Sequence, residues 1–230
     1  MAGPRKMDGR RERSRLTRGR VVAAATNLFV EDGYVATTIE HVAEDAGVAV
    51  QTVYYIFGTK RNLLAAVLDA SVAGDVEPVA VLERDWVEAL RAEKDATSAV
   101  ERLVEATVTI VARTMPIYEV VRRAAADPDV SALLQEVRSR RRADQRALME
   151  ILWRSGHLHP KVDADVAADV LYGLINEEIL QLFTGDCGWE VDQFRSWATS
   201  LMLQQLVEAD TARAGPGNSR TSHHDKAIKP

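Results

Sequence analysis

The chain has 230 residues, of which 47% are hydrophobic and 27% charged, so it can bury the core of one large domain or of a small domain and a larger one. No apolar run approaches the roughly 18 residues of a membrane helix, and the single cysteine, Cys187, excludes an internal disulfide and a cysteine-based metal cluster. With a formal net charge of −5, these features predict a cytoplasmic protein that has no membrane partner.

The charge is unevenly distributed along the chain. Residues 1–20 contain eight Lys and Arg against two acids, whereas residues 21–230 contain 21 Lys and Arg against 32 acids. A basic surface is the usual sign of nucleic-acid binding, so any DNA is expected at the N-terminal end, with the acidic remainder facing away. Residues 1–16 are predicted to form a flexible basic arm that can enter the minor groove, the alternative being a solvated tail.

The first predicted helix runs from Thr17 to Gly33. Thr17 is a suitable N-cap, and Gly33 can adopt the left-handed conformation that ends a helix. Apolar residues recur on one face of this helix: Val21, Ala25, Leu28 and Phe29.

A pair of short helices follows. Thr37 and Glu40 have the spacing of a capping box at the start of the first one, and Gly47 is expected to end it. The apolar stripe of this helix consists of Ile39, Val42, Ala43 and Ala46. Two short helices joined by so tight a glycine turn predict a helix-turn-helix.

The second short helix carries two kinds of side chain. Val53, Ile56 and Phe57 have the i, i+3, i+4 spacing of a buried face. Four polar or aromatic residues are left at outward or flanking positions: Gln51, Thr52, Tyr54 and Tyr55. The alternative is that the two tyrosines are partly buried core residues.

Lys60 lies where a cation is not favoured. Gly58 closes the second short helix and Thr59 is predicted to cap the next one, so Lys60 falls in its first turn, at the positive end of the helix dipole. A DNA phosphate in front of the lysine would offset this penalty, because phosphates accept hydrogen bonds from lysine, tyrosine and helix N-terminal amides. The alternative is a solvated lysine.

The stretch from Thr17 to Leu68 resembles the DNA-binding segment of the TetR family of bacterial transcriptional repressors. The residues that carry the resemblance are Ala24, Phe29, Gly33, Thr37, Thr38, Val42, Ala43, Ala46, Gly47, Val48, Val53, Tyr54, Phe57, Lys60, Leu63 and Leu64. Two positions depart from the family pattern. Ala49 stands where a Ser or Thr often caps the recognition helix, which is expected to weaken the cap by roughly 1 kcal/mol. Ile56 stands where a polar or aromatic residue is common.

The rest of the chain is also predicted to be helical, without a strand pattern or an internal repeat. The predicted helices cover residues 61–73, 80–93, 95–115, 116–126, 127–156, 163–185 and 191–209. Residues 211–230 are rich in Gly, Pro and polar side chains and are predicted to be a disordered tail. The predicted fold class is therefore all-α.

The resemblance implies a division into two domains. A three-helix helix-turn-helix DNA-binding domain would span residues 17–62, and a larger helical ligand-binding and dimerisation domain residues 63–210. The last two long helices are the expected homodimer contact, because they carry more apolar surface than one flank of a bundle needs. These apolar residues are Leu171, Leu174, Ile175, Ile179, Leu182, Phe183, Trp197, Leu201, Leu203 and Leu206. The alternative is that they fill the core of the single chain.

The expected function is that of a DNA-binding repressor released from a pseudo-palindromic double-stranded DNA operator by an unknown small-molecule ligand. The residues expected to contact DNA are Thr38, His41, Val50, Gln51, Thr52, Tyr54, Tyr55 and Lys60. The residues that could line a ligand cavity are Met115, Tyr118, Trp153, Tyr172 and Asn176; the alternative is core packing for the first four and exposure to solvent for Asn176. No catalytic triad, phosphate-binding glycine loop or zinc spacing is found, so no enzyme activity, cofactor or metal is expected. The alternatives are an enzyme built on a helical bundle and an adaptor whose helix-turn-helix no longer reads DNA.

Overall fold

The computed structural model describes residues 5–77 and 79–207, with side chains from Glu12 onward. Within these ranges all regular structure is helical, which confirms the predicted all-α fold. The helices are α1 (Arg5–Ala36), α2 (Ile39–Asp45), α3 (Val50–Phe57), α4 (Lys60–Ala73), α5 (Asp85–Ala92), α6 (Ala96–Arg123), α7 (Pro128–Arg154), α8 (Ala164–Leu174), α9 (Glu177–Gln181) and α10 (Val191–Leu206). A 3-10 turn, Val81–Glu83, precedes α5, and a π-helical segment, Leu182–Asp186, follows α9. The predicted tail over residues 211–230 lies outside the described residues.

Helix α1 is longer than predicted. It begins at Arg5 rather than at Thr17, so the stretch predicted as a flexible arm is helical from residue 5 onward. The Arg and Glu residues of this stretch are good helix formers, and Glu12 pairs with Arg15 one turn away at 2.8 Å. Gly33 interrupts the helix with φ 81° and ψ 169°, a backbone conformation that glycine adopts readily and other residues do not.

The start of α2 differs from the prediction. Thr38 is its N-cap, and the side-chain oxygen accepts a hydrogen bond from the backbone N–H of His41 at 3.1 Å. Thr37, the predicted cap, is instead buried, and its hydroxyl donates to the carbonyls of Leu28 and Gly33 at 3.1 and 2.8 Å. The predicted capping box is therefore wrong, because the turn after α1 draws Thr37 into the core.

Two buried clusters run through the molecule, and both α6 and α7 belong to each of them. The first cluster joins α1–α4 to the end of α6, through Ile117 and Val121, and to the start of α7, through Leu133. The second joins α5, α8, α9 and α10 to the remaining parts of α6 and α7. The predicted domain boundary between residues 62 and 63 falls inside α4 and within the first cluster, so the helix-turn-helix packs directly onto the helices that follow it.

Helix α6 is continuous where two helices were predicted. Pro116 lacks a backbone N–H, which predicts a new helix at this point, yet it lies inside α6. Val111 before the proline is buried, and so are Ile117 and Val121 after it. Packing on both sides of Pro116 therefore outweighs the local preference for a break.

The helix predicted over residues 163–185 is interrupted. It consists of α8, α9 and the π-helical segment. Ile175 has extended backbone angles, φ −111° and ψ 90°, and Asn176 caps α9 by accepting a hydrogen bond from the backbone N–H of Ile179 at 2.8 Å. Asparagine side chains compete for nearby backbone groups, which favours a helix cap here over a continuous helix.

The apolar residues of the last helices divide between core and surface. Leu171, Ile175 and Leu206 are fully buried within the single chain, so the core alternative holds for them. Leu182 is 46% exposed. Half-buried residues are Leu174, Ile179, Phe183, Trp197, Leu201 and Leu203.

Neither a membrane-spanning helix nor a cluster of metal ligands occurs in the described ranges. No helix among residues 5–77 and 79–207 is long and apolar enough to cross a bilayer. The same residues contain no group of three His, Cys, Asp or Glu side chains placed to hold a metal ion. Cys187 is exposed.

Candidate nucleic-acid interface and ligand cavity

Backbone hydrogen bonds around Gly47 close the turn between α2 and α3. The N–H of Gly47 donates to the carbonyl of Glu44, and the N–H of Val48 donates to the carbonyl of Ala43, both at 3.0 Å, which is the Schellman pattern. Gly47 has φ 64°, the left-handed conformation in which glycine is favoured. The predicted helix-turn-helix is confirmed, and local contacts hold its turn.

Helix α3 has one buried face and one exposed face. Val53 and Phe57 are buried, and Ile56 is half-buried against the first cluster, as their spacing predicts. Tyr54 is 47% exposed and Tyr55 is 90% exposed, so the alternative of a partly buried core residue does not hold for Tyr55. A tyrosine exposed to this degree contributes little to the core and leaves its ring and hydroxyl available to a partner.

The N-terminus of α3 has no side-chain cap. Ala49 stands at the N-cap position and makes no side-chain hydrogen bond, as the sequence predicts. The first amides of a helix lack intrahelical acceptors; that of Thr52 donates to the carbonyl of Ala49 at 2.8 Å, and those of Val50 and Gln51 can bind a phosphate oxygen. Gln51 is exposed beside them, and Val50 and Thr52 are half-buried.

Two further predicted DNA contacts lie at the start of α2. Thr38 and His41 are both exposed, and α2 packs directly against α3. The oxygen of Thr38 serves as the N-cap acceptor, but a hydroxyl also has a hydrogen to donate. Thr38 can therefore cap α2 and bind a phosphate at the same time.

Lys60 has partners within the chain that the sequence did not indicate. Thr59 caps α4 as predicted, accepting a hydrogen bond from the backbone N–H of Asn62 at 3.1 Å. The Lys60 ammonium lies 4.3 Å from the ring centroid of Tyr34 and donates to the carbonyl of Val35 at 3.3 Å. Burial lowers the pKa of Lys60. The tyrosine ring and the carbonyl offset part of the unfavourable dipole, and the phosphate contact stays a prediction.

A polar network joins α6, α7 and α9. It consists of Thr114, Tyr118, Arg138, Arg141, Glu177 and Glu178, and is called the α6–α7–α9 network below. Glu177 is buried, accepts a hydrogen bond from the Thr114 hydroxyl at 3.0 Å and forms an ion pair with Arg141. Buried charges are normally paired and hydrogen-bonded in this way, because an isolated one is costly to desolvate.

Tyr118 is the second centre of this network. Its hydroxyl donates to a carboxylate oxygen of Glu178 at 2.9 Å and accepts a hydrogen bond from Nε of Arg138 at 3.1 Å. Burial raises the pKa of Tyr118 to about 12, so the hydroxyl keeps its proton at neutral pH. The Arg141 guanidinium lies 4.8 Å from the ring centroid of Tyr172.

The five residues predicted to line a ligand cavity are only partly brought together. Tyr118 belongs to the network, Tyr172 contacts it, and Asn176 caps α9 beside it. Met115 is half-buried at the second cluster, and Trp153 is 55% exposed near the end of α7. None of the five lines either of the two cavities described next.

A cavity of about 340 Å³ lies between the end of α4, the 3-10 turn, α5 and α6, and is called the α4–α6 cavity below. Its apolar wall includes Val72, Val81, Trp86, Ala106 and Ile110. Its charged lining consists of Arg84, Arg102, Glu105 and Arg113, so it carries a net positive charge. A second, more open groove of about 510 Å³ between α6 and α10 is lined by polar side chains.

The α4–α6 cavity was not predicted, although the amino-acid sequence contains one signal for it. Arg113 is the only charged residue in the stretch from 106 to 117, which is otherwise apolar apart from three threonines. A single charge within an apolar stretch of helix is expected to reach either solvent or a partner, because burying it alone would be costly. Such a position is therefore a candidate for an internal contact or a ligand contact.

The N-terminal helices are similar to those of known regulatory proteins. Residues 21–67 match the family model described as bacterial regulatory proteins, tetR family. The HTH-type transcriptional activator FasR of Mycolicibacterium smegmatis is 25% identical over 214 residues, covering 92% of this chain and 78% of that protein. The uncharacterised HTH-type transcriptional regulator YdeS of Bacillus subtilis is 29% identical over 188 residues, covering 76% of this chain and 83% of that protein.

Among solved structures, the transcriptional regulator FadR from Bacillus subtilis, in complex with stearoyl-CoA, has the same fold. Its TM-score is 0.62 at 16% sequence identity, and the match covers 81% of this chain and 98% of that one.

Proposed function

The chain belongs to the TetR family of bacterial regulatory proteins, and from this premise we propose that it is a homodimeric repressor that a small molecule releases from a pseudo-palindromic DNA operator. Its relatives are transcriptional regulators with a helix-turn-helix, and regulation through DNA binding is the function it shares with them. The same relatives are named as transcriptional regulators, which favours this function over an enzyme built on a helical bundle.

The exposed face of α3 is the observation that carries the proposal. Gln51, Tyr54 and Tyr55 are exposed on it, while Val53 and Phe57 are buried beneath. A short helix that is fixed from below and presents amide and aromatic side chains outward suits the major groove. The adaptor alternative requires neither the uncapped N-terminus of α3 nor a lysine at the start of α4.

We assign base reading to the first turns of α3. The amide of Gln51 can pair with adenine, and the Thr52 methyl or the Tyr54 ring can contact a thymine methyl. Val50, half-buried at the same end, would add apolar contact. These contacts carry sequence information, so their loss should change which operator bases matter.

We assign phosphate contacts to the residues around that end. Tyr55 lies one position round the helix from Tyr54, and Thr38, His41 and Lys60 flank α3 on α2 and α4. Contacts with phosphates position the protein but do not read sequence directly. Their loss should weaken binding to all duplexes alike.

Two copies of α3 would enter successive major grooves about 34–36 Å apart on the operator. We propose that α8, α10 and the π-helical segment form the homodimer contact. Leu182 is exposed there, and the neighbouring Phe183 ring packs on Trp189 and Trp197 with centroid distances of 4.5 and 4.8 Å. Light scattering should show a dimer for the wild type and a monomer for Leu182→Glu. If Leu182→Glu is still a dimer, the homodimer contact does not lie at Leu182.

We propose the α4–α6 cavity as the small-molecule site. Its wall includes the end of α4, and α4 also belongs to the buried cluster of the helix-turn-helix. A ligand that binds the non-DNA conformation better would release the operator, by no more than its differential affinity for the two states. The complex of FadR with stearoyl-CoA supports an amphipathic ligand for this fold.

Selection of duplexes from a random pool, followed by shift assays on the selected sequence and on the upstream region of the protein's own gene, tests this function. A pseudo-palindrome is expected, and the double variant Gln51→Ala, Tyr54→Ala should lose preference for it. A folded protein without sequence preference would support the adaptor instead. In a reporter strain, transcription should fall when the protein is present; a rise would replace repression by activation.

A further inference from the structure

Arg113 fastens the end of α4 to α6. Its Nε donates to the carbonyl of Ser71 and its Nη2 donates to the carbonyl of Val72 at 2.6 Å. Both carbonyls lie in the last turn of α4, where backbone oxygens have no intrahelical donor and carry partial negative charge. Arg113 therefore acts as a side-chain cap that reaches α4 from another helix.

Arg113 forms no direct ion pair with a carboxylate among the described residues, although Asp75 attracts its charge from a longer distance. The other two arginines of the α4–α6 cavity are paired, Arg84 with Asp75 and Arg102 with Glu93. Among the described residues, Arg113 forms no such ion pair and bonds only the two carbonyls. Arg113 is exposed and is one of the residues that line the cavity, so it can be reached by a bound molecule.

The segment after α4 connects the cavity to the DNA-binding helices. Asp75 is held by Arg84 on the cavity side. Two residues later, Glu77 forms an ion pair with Arg15 of α1 at 2.6 Å. Val76 also lies close to α1: a Cβ atom placed on Gly19 would be 3.7 Å from Cγ2 of Val76. Residues 74–77 thus touch both the cavity wall and α1.

We propose that the α4–α6 cavity binds an organic anion with an apolar body, and that the anion acts by taking the guanidinium of Arg113 away from the carbonyls of Ser71 and Val72. The end of α4 then loses its cap, and residues 74–77 loosen their hold on α1. This inference rests on the proposed function, of which it names the ligand class and the route of regulation.

Elementary electrostatics favours the exchange. Both kinds of acceptor bind the same charged donors, but a carboxylate adds the attraction of a full negative charge and can accept two parallel hydrogen bonds from one guanidinium, so it competes well with the two carbonyls. Trp86 and Ile110 on the cavity wall give the apolar part of the ligand a surface to cover. A neutral molecule of the same shape would fill the cavity but leave Arg113 in place.

A matched set of probes tests the ligand class. Straight-chain carboxylates from butanoate to decanoate are titrated by calorimetry against wild type, Arg113→Gln and the control Arg154→Gln, with octanamide and octylamine as uncharged and cationic counterparts of octanoate. At least one carboxylate should bind the wild type and Arg154→Gln with similar affinity. Its affinity for Arg113→Gln should be at least about tenfold lower. No carboxylate binding, or equal binding of octanoate and octanamide, overturns the inference.

Hydrogen exchange tests the route of regulation without DNA. The Gly74 N–H donates to the carbonyl of Ala70 at 2.8 Å, so its exchange rate reports on the last turn of α4. A bound carboxylate should speed exchange over residues 74–77 in the wild type, whereas Arg113→Gln should exchange fast with or without it. Unchanged exchange in the wild type overturns the route.

A pair of glycine variants imitates the ligand. A Cβ at Gly74 would lie 2.5 Å from Nη1 of Arg113, whereas a Cβ at Gly156 meets nothing within 4 Å; both glycines have positive φ, 86° and 73°. Gly74→Ala and Gly156→Ala therefore share the backbone strain, but only the first displaces Arg113. Gly74→Ala alone should lower affinity for the selected duplex about tenfold, as a saturating carboxylate does.

The outcomes separate the two proposals. A wild type that shows no sequence-dependent DNA binding contradicts the proposed function, while the calorimetry and the exchange data still decide the inference. If the wild type binds the selected duplex, and Gly74→Ala and Gly156→Ala bind it with equal affinity, the inference alone is contradicted. Thermal unfolding of every variant confirms that it is folded before it is scored.

Discussion

The exposed face of α3 and the α6–α7–α9 network use their polar groups in opposite ways. On α3, Tyr55 is 90% exposed, and its hydroxyl forms no hydrogen bond with the part of the chain that the structure describes. In the network, the Tyr118 hydroxyl is buried between Glu178 and Arg138, and Glu177 is closed off by Arg141. Tyrosines therefore occur in both regions, but only in the network do they find partners within the described ranges of the chain.

The difference shows which polar residues serve the fold and which are available to a partner. A buried group that is paired and hydrogen-bonded stabilises one arrangement of helices and is expensive to disturb, as in the network, where Nε of Arg141 is nevertheless left without an acceptor among the described residues. An exposed group above a packed underside contributes little to stability, so its loss should be felt in binding. The following variants test that distinction, beginning with the largest expected effect.

Breaking the buried ion pair of the network should cost the most stability. Glu177→Ala leaves Arg141 without its carboxylate and the Thr114 hydroxyl without one acceptor, and we expect a loss of about 3–5 kcal/mol in the free energy of unfolding. Urea denaturation at a fixed protein concentration measures it. Glu150→Ala, which breaks an exposed pair with Arg154, is the control and should cost about 0–1 kcal/mol. Equal losses would remove the contrast between the two regions.

Truncating the base-reading side chains should affect binding and not stability. Gln51→Ala and Tyr54→Ala are each expected to cost about 1–3 kcal/mol on the selected operator and to change which bases are preferred. Their free energies of unfolding should stay within about 0.5 kcal/mol of the wild type, because both side chains are exposed. A matrix of variants against operators with single base changes gives the result. Altered base preference in Tyr55→Phe alone would mean that α3 faces DNA with a different side.

Removing a phosphate contact should weaken all duplexes alike. Lys60→Ala is expected to lower affinity for operator and random DNA by similar factors and to reduce the slope of log affinity against log salt by about one. The contact of Lys60 with the Tyr34 ring offers a competing explanation, in which the lysine only joins α4 to α1. An unchanged salt slope together with a lower unfolding temperature would favour that explanation.

The smallest expected effect concerns a carboxyl at the edge of the network. Asp144 lies on α7 three residues after Arg141, and burial raises its pKa while Arg140 opposes the shift. A raised pKa in the folded state stabilises the protein at acid pH, and this contribution is lost as pH rises through that value. Asp144→Asn should therefore gain stability over the wild type as pH increases from acid to neutral. Asp32→Asn, at an exposed site, controls for the loss of a negative charge. If the free energy of unfolding of Asp144→Asn falls relative to that of the wild type as pH rises, the raised pKa of Asp144 is contradicted.

The amino-acid sequence by itself determined the helix-turn-helix. The amides of Gly47 and Val48 close its turn through hydrogen bonds to residues three and five positions earlier, and Thr59 caps α4 through an amide three positions later. The buried face of α3 follows from the spacing of Val53, Ile56 and Phe57. These features are satisfied within one or two helical turns, so they can be read from neighbouring residues.

Other features were decided only when the helices packed. Thr37 became buried instead of capping α2, and Pro116 was carried inside α6 because core residues lie on both sides of it. Asn176 interrupts the helix predicted over residues 163–185, where a local asparagine signal was present but its use depended on the packing around α9.

The candidate ligand site belongs wholly to the tertiary structure. Arg113 and Ser71 are 42 positions apart in the chain, and no spacing rule links them. Of the residues expected to line a cavity, Tyr118 forms its hydrogen bonds in the network and Trp153 lies on the surface. Local patterns determine where helices begin, end and bury a face, whereas partners of long side chains depend on which helices meet, and that is settled by the packing of the whole chain.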